Sequence, residues 1–195
     1  MIIKLNKLYE GELTDCKCAC PLRGTSTPVK GYHPQQNVNI AFVGEAPGAK
    51  EADYGIPFVG IAGGNFDDFL RDLNLTRDEV FITNTVKCRP TVGYRGKKNR
   101  APYASEIKAC SGYLEKELSI VNPKLIITLG NIPLRRLLAN NKATITDWHG
   151  TLFFYDDAKV FPLHHPGAIT YNRKLTNVIA EDLKVLKKLV TMQKY

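Results

Sequence analysis

Residues 38–48 read VNIAFVGEAPG, an apolar run rich in β-branched and aromatic side chains that stops at a glycine and proline turn. So short a run is no helix, and its unbroken apolar character suits a strand covered on both faces, as strands of parallel sheets are. Working outward, residues 80–85 (VFITNT), 124–129 (KLIITL) and 160–163 (VFPL) repeat the pattern, with 151–155 (TLFFY) a hairpin partner for the last. Helical stripes lie between them. Phe66, Phe69, Leu70 and Leu73 share a face in 63–73; Ile107, Cys110, Leu114 and Leu118 follow the helix-opening Pro102. Residues 132–138 make a short helix, and Ile179, Leu183, Leu186 and Val190 line a closing one. Strands alternating with helices predict an α/β fold: a three-layer α/β/α sandwich around a mainly parallel four-stranded sheet, one domain across residues 1–195. Two stretches break the rhythm. Residues 15–36 are irregular and rich in cysteine, proline and glycine, and 91–101 (TVGYRGKKNRA) form a basic loop by their turn chemistry.

The 195 residues include 44% apolar and 24% charged side chains, the balance of a folded globular chain rather than a disordered or fibrous one. No apolar run reaches the roughly 20 residues of a membrane span. The start, MIIKLNKLYEGEL, lacks the apolar core and small-residue cleavage site of a secretory signal. The expected setting is the cytoplasm of a prokaryote or a virus-infected cell, with no membrane partner. A formal charge of +8 suits a polyanion, since lysines and arginines that neutralise phosphates release counterions. The five cysteines, at 16, 18, 20, 88 and 110, are clustered. In a reducing compartment such clustering favours a metal or cluster site over disulfides.

Ligands of open α/β sheets bind outside the carboxyl ends of the strands. Three polar turns fall there: Gly44 to Gly48 after the first strand, Thr83 and Asn84 closing the second, and His164-His165-Pro166-Gly167 after the last. Each alone reads as an ordinary turn or cap. Converging on one rim, they form a candidate site.

These residues carry a resemblance. GEAPG at 44–48 followed by GIPFVG at 55–60, FITN at 81–84 with KCRP at 87–90, and the closing HHP at 164–166 are together similar to the ordered motifs of the family 4, iron-sulfur uracil-DNA glycosylases, over nearly the whole chain. The resemblance implies an enzyme that hydrolyses the N-glycosidic bond of uracil in DNA and leaves an abasic site, in base-excision repair, as a monomer.

The residues accept physical roles within that reading. A base in a duplex must be turned out before a buried site can reach it. Phe58 is the candidate for stacking on its face, with Gly44 a further substrate contact. Asn84 carries a donor and an acceptor on one amide, the pattern that reads O4 and N3–H of uracil and mismatches cytosine. His165 is the chosen donor to the uracil O2, where negative charge develops; His164 competes for that role. Glu45 would orient the attacking water and offset positive charge on the sugar. By resemblance, Glu51 fills the space beside C5, where thymine carries its methyl, and Ile169 is the wedge that enters the base stack, with Thr170 and Tyr171 close by. Arg173, Lys174, Lys97 and Lys98 are candidate DNA contacts.

The resemblance also implies a four-iron, four-sulfur cluster. Cys88 and Cys110 match its later ligands and Cys20 the second of its early pair. The stretch Cys16-Lys17-Cys18-Ala19-Cys20 departs from the family's usual CxxC, leaving Cys16 or Cys18 as the first ligand; Cys16 is preferred for its longer stride, and Cys18 is then free. Zinc is the alternative ion, although no pair has zinc-finger spacing. The rival functions are a catalytically silent DNA-binding or replication-accessory module on the same fold, and a glycosylase for another damaged base.

Overall fold

The structure is a computed structural model that describes residues 1–193. In chain order it contains α1 (Ile2–Lys7), a π-helical turn (Leu8–Leu13), β1 (Ile40–Gly44), α2 (Ala49–Tyr54), α3 (Ile61–Asp72), a 3-10 turn (Arg77–Glu79) and β2 (Phe81–Asn84). There follow α4 (Ala104–Val121), β3 (Leu125–Leu129), α5 (Asn131–Leu138), α6 (Ile145–Trp148), β4 (Phe153–Tyr155), β5 (Ala158–Leu163), α7 (Ala168–Tyr171) and α8 (Leu175–Gln193).

The strands form one sheet in the order β2-β1-β3-β5-β4. β2, β1, β3 and β5 run parallel, and β4 pairs antiparallel with β5 through Phe153↔Val160 and Tyr155↔Ala158. The sheet thus has five strands where four were expected. The hairpin partner, carried round by Asp156 at a left-handed φ of 50°, is a full edge strand with Phe154 exposed.

Side chains alternate across each strand, so each parallel strand feeds two cores. Ile40 and Phe42 of β1, Ile127 of β3 and Phe161 of β5 meet Phe66, Phe69 and Leu70 of α3 and Ile179, Leu183 and Leu186 of α8. Ala41, Val43, Ile126 and Val160, on the opposite face, meet Leu5, Leu8, Tyr9, Leu114 and Leu118 from the N-terminal helical segment and α4. Covering a sheet that is apolar on both faces is what makes the three-layer sandwich stable; each fully buried large side chain contributes about 1.5–3 kcal/mol. Residues 15–36 contain no helix or named strand, only an isolated bridge from Tyr32 to Ile82. No helix among the described residues is long and apolar enough to cross a membrane.

The register decides what shares the rim. Gly44 and Asn84 are opposed across β1 and β2, Leu129 is opposed to Leu163 across β3 and β5, and His164 and His165 continue directly from β5.

Candidate active site

A cavity of about 430 Å³ opens at that rim, lined by Glu45, Gly48, Glu51, Phe58, Asn84 and His165 among others. Its inner end is built by a close approach. A side chain at Gly44 would run into Asn84 Oδ1 and would lie 2.6 Å from Phe58 Cζ, so only glycine lets the Asn84 amide and the Phe58 ring stand against the strand end. Asn84 is 3% exposed, and its Nδ2 is buried with no hydrogen-bond partner, although the Glu51 carboxylate is near enough to feel the amide. On a residue that lines the cavity, a buried donor with no full hydrogen bond of its own is what a ligand acceptor would satisfy.

From beneath, Lys87 Nζ donates to the Asn84 carbonyl at 2.7 Å, to Thr83 Oγ1 at 2.6 Å and to Glu117 Oε2 at 2.6 Å. Both charged side chains of this ion pair are fully buried. Glu117 also accepts from Tyr9 and Thr83. This network holds the backbone that carries the amide.

The two histidines separate cleanly. His165 lines the cavity with its ring centroid 5.8 Å from that of Phe58. Its Nδ1 accepts from the Gly167 N–H at 3.1 Å, so in the neutral ring the proton resides on Nε2, which is left to donate. Burial lowers its pKa to about 4, which keeps the ring neutral at physiological pH. His164 is buried, and its ring stacks obliquely 5.1 Å from His149, which is bonded to Asp182 at 2.8 Å. It does not line the cavity. Glu45 lines the cavity with its carboxyl pKa raised by burial, the shift that makes a carboxylate a stronger base.

Glu51 is spent on the backbone. Its Oε2 accepts from the Gly48 N–H and its Oε1 from the Phe58 N–H, each at 2.7 Å. It lines the cavity while bracing the loop that delivers Phe58.

The expected DNA contacts are exposed on two segments, each with a neighbouring residue in the cavity lining. Lys97 and Lys98 are exposed on a hairpin closed by a Thr91 and Asn99 bridge, and Arg173 and Lys174 are exposed between α7 and α8. Ile169 is half-buried and packs against the core beneath α7, whereas Tyr171, at the end of that helix, is 92% exposed and lines the cavity. Asn99 and Arg100 also line it. Arg89 fixes Asn99 by donating to its Oδ1 at 2.7 Å, and Arg100 is anchored on buried Glu106. Sequence reading placed Arg100 in the basic loop but passed over Asn99, whose only signal was its place among the cations. Arg77, which braces Phe58 from outside, had no signal in the sequence.

The five cysteines line a second cavity, of about 450 Å³, between residues 13–28, the segment after β2 and α4. Cys16 and Cys18 are in contact there, Sγ to Sγ at 2.6 Å. Burial pushes the Cys88 thiol up to about 12 and Cys110 up to about 11, with neighbouring thiols adding to Cys88. Packing so many thiols together is unfavourable as thiolates unless cationic metal compensates. Among the described residues no three His, Cys, Asp or Glu side chains converge on a single ion position. All five thiols line the one cavity, a donor set whose chemistry suits a multi-iron cluster, which takes one thiolate at each corner.

A family model described as the uracil DNA glycosylase superfamily matches residues 30–187. Type-4 uracil-DNA glycosylase of Sulfurisphaera tokodaii is 38% identical over 98% of this chain and 87% of its own length. That of Thermotoga maritima is 35% identical over 89% and 90%, respectively. That of Saccharolobus solfataricus is 34% identical over 94% and 86%.

Proposed function

The chain belongs to the uracil DNA glycosylase superfamily, and on that premise we propose that it excises uracil from DNA, hydrolysing the N-glycosidic bond of an extruded nucleotide to leave an abasic site. One observation carries the reading. A buried amide whose Nδ2 makes no full hydrogen bond, an aromatic face and a neutral histidine donor, from three separate segments, border one cavity together with a carboxylate of raised pKa.

Each group then has a step. Phe58 supports the face of the extruded base. Asn84 accepts from N3–H through Oδ1 and donates to O4 through Nδ2; cytosine, with an amino group at position 4, would leave that donor facing another donor. A buried polar group left unpaired costs about 1–3 kcal/mol, enough to discriminate. As the C1′–N1 bond lengthens, negative charge gathers on the uracil and positive charge on the sugar. His165 Nε2–H donates to O2, stabilising the departing anion without itself being an acid strong enough to lose its proton. Glu45 offsets the sugar's charge, orients water and takes its proton as the C1′–O bond forms; the uracil anion is then protonated from solvent.

Cys16, Cys20, Cys88 and Cys110 would hold a four-iron, four-sulfur cluster, with Cys18 beside Cys16 as the spare thiol. When bound, the cluster supplies a cross-link that ties residues 15–36 to α4 and to the segment after β2. Tyr171, Lys97, Lys98, Arg173 and Lys174 are assigned to the DNA around the cavity mouth, and Ile169 to support of α7 beneath Tyr171. The protein acts as a monomeric single domain in a prokaryotic or viral cytoplasm.

The direct test incubates the protein with single- and double-stranded oligonucleotides holding one uracil. Alkali-labile scission at that position is expected; intact strands at high enzyme overturn the proposal.

A further inference from the structure

Phe58 has a φ of +55°, in the left-handed region that side chains of its size seldom occupy. It is also 3% exposed and forms a wall of the candidate uracil cavity. Strained residues persist where their surroundings over-determine them, and here charged side chains grip the backbone from two sides. On one side the Phe58 N–H donates to Glu51 at 2.7 Å. On the other, Arg77 Nη2 donates to the Phe58 carbonyl at 2.6 Å and Nη1 to the Pro57 carbonyl at 3.2 Å.

Arg77 is itself held in place. It lies on the 3-10 turn leading into β2, outside the cavity, with Nε donating to Asp67 Oδ1 of α3 at 2.8 Å. Its guanidinium sits 5.5 Å from the centre of the Phe66 ring, and Phe66 is the ring on which Phe58 packs, 4.7 Å between centroids. Gly63 closes the remaining side, since a Cβ there would collide with the Phe58 carbonyl.

We propose that Arg77 is a positioning residue for uracil excision, clamping the Pro57 and Phe58 carbonyls so that the Phe58 ring keeps the tilt on which the extruded base rests. The inference builds on the uracil-excision reading of the cavity. A planar guanidinium can serve two successive carbonyls and a carboxylate at once, whereas an ammonium donates from a point and cannot reproduce the fork. Without the clamp, residue 58 relaxes toward the ordinary region of backbone space, its ring shifts, and the base is no longer held in register with Asn84 and His165. Arg77 makes no contact in the cavity itself: it holds the Phe58 backbone, and its charge, which Lys would keep, is felt by Glu51 on the other side of the clamp. Its loss therefore affects the step after DNA is bound and leaves DNA affinity unchanged.

The test is a double-mutant cycle under single-turnover conditions, following uracil release for the wild type, Arg77→Lys, Phe58→Ala and the double variant, with thermal midpoints and affinity for duplex DNA measured alongside. Arg77→Lys is expected to slow release about 10- to 100-fold, the scale of a small misplacement in a reacting complex, with duplex affinity unchanged. In the Phe58→Ala background the same change should add nothing, because the clamped carbonyls remain but the ring they position is gone. Equal losses in both backgrounds would mark Arg77 as merely structural, and release at the wild-type rate from Arg77→Lys would leave it no role; either overturns the proposal. Should Arg77→Lys fold poorly, Asp67→Asn loosens the guanidinium from outside and is expected to show a smaller loss with the same dependence on Phe58; its absence counts against the clamp equally. If the wild type itself releases no uracil, the excision reading falls and this proposal with it, an outcome distinct from an active wild type indifferent to Arg77.

Discussion

The rings of Phe58 and His165 stand 5.8 Å apart between centroids with planes 30° apart. A base slipped between two rings needs two contact gaps, together about 7 Å, so these rings cannot sandwich it. In the proposed reading they divide the labour: Phe58 would take the face and His165 an edge, leaving Asn84, opposite Gly44 in the sheet register, to read the other edge.

Replacing Asn84 by Asp removes the Nδ2 donor and sets a second carboxylate beside Glu51. Excision should fall about 10²- to 10³-fold, the usual cost of one well-placed donor, while duplex affinity holds. Parallel loss of both in a binding and excision assay would mean the variant is misfolded.

Gly44→Ala is expected to be nearly inactive, because the added methyl meets the Asn84 amide and the Phe58 ring where that ring both lines the cavity and packs on the core. Circular dichroism close to that of the wild type with excision lowered at least about 100-fold is the expected pair of results; unchanged excision would show that the close approach is not needed.

The pH profile has a defined sign. Burial depresses His165 from 6.5 to about 4, so excision should not change across the range where an ordinary histidine titrates. Burial raises Glu45, so on acidification Glu45 is protonated early and the rate falls on that limb. In stability terms, the unfolded chain takes up a proton at His165 below pH 6.5 while the native one resists until about 4, so folding is weakened as pH drops through that window. His165→Gln should flatten that part of a thermal midpoint against pH curve; an unaltered slope would refute the assignment.

Lys87→Met strands the Glu117 carboxylate in the interior, a loss of about 3–5 kcal/mol, or roughly 10 °C in the melting midpoint of a domain this size. Adding Glu117→Leu should recover part of it, since removing both charges removes the stranded one. A double variant as unstable as the single would assign the loss to packing instead.

Iron content and absorbance measured on Cys→Ser variants test the second cavity. Cys20, Cys88 and Cys110 variants are expected to lose iron, and the Cys18 variant to keep it; iron lost with Cys18 and kept with Cys16 would exchange those two.

The sandwich was legible from the chain alone because burial on both faces leaves a mark in one dimension: unbroken apolar strands such as 124–129 and helical stripes such as Ile179 to Val190 need no partner to be recognised. The rim turns were legible too, since Gly44 and Asn84 each end a strand, His165 comes just after one, and parallel strands end on one side. Relations across the fold were not. Which histidine faces inward depended on how His165 leaves β5 and on Gly167 returning to its Nδ1. Ile169 went to the core and Tyr171 to the cavity mouth because of the turn of a single short helix. Arg77 met Phe58 only because α3 brings Asp67 and Phe66 to receive it. Periodicity and strand ends are properties of neighbouring residues, which local sequence records; side-chain direction and the satisfaction of buried polar groups depend on atoms contributed from elsewhere in the chain, and only the folded structure brings them together.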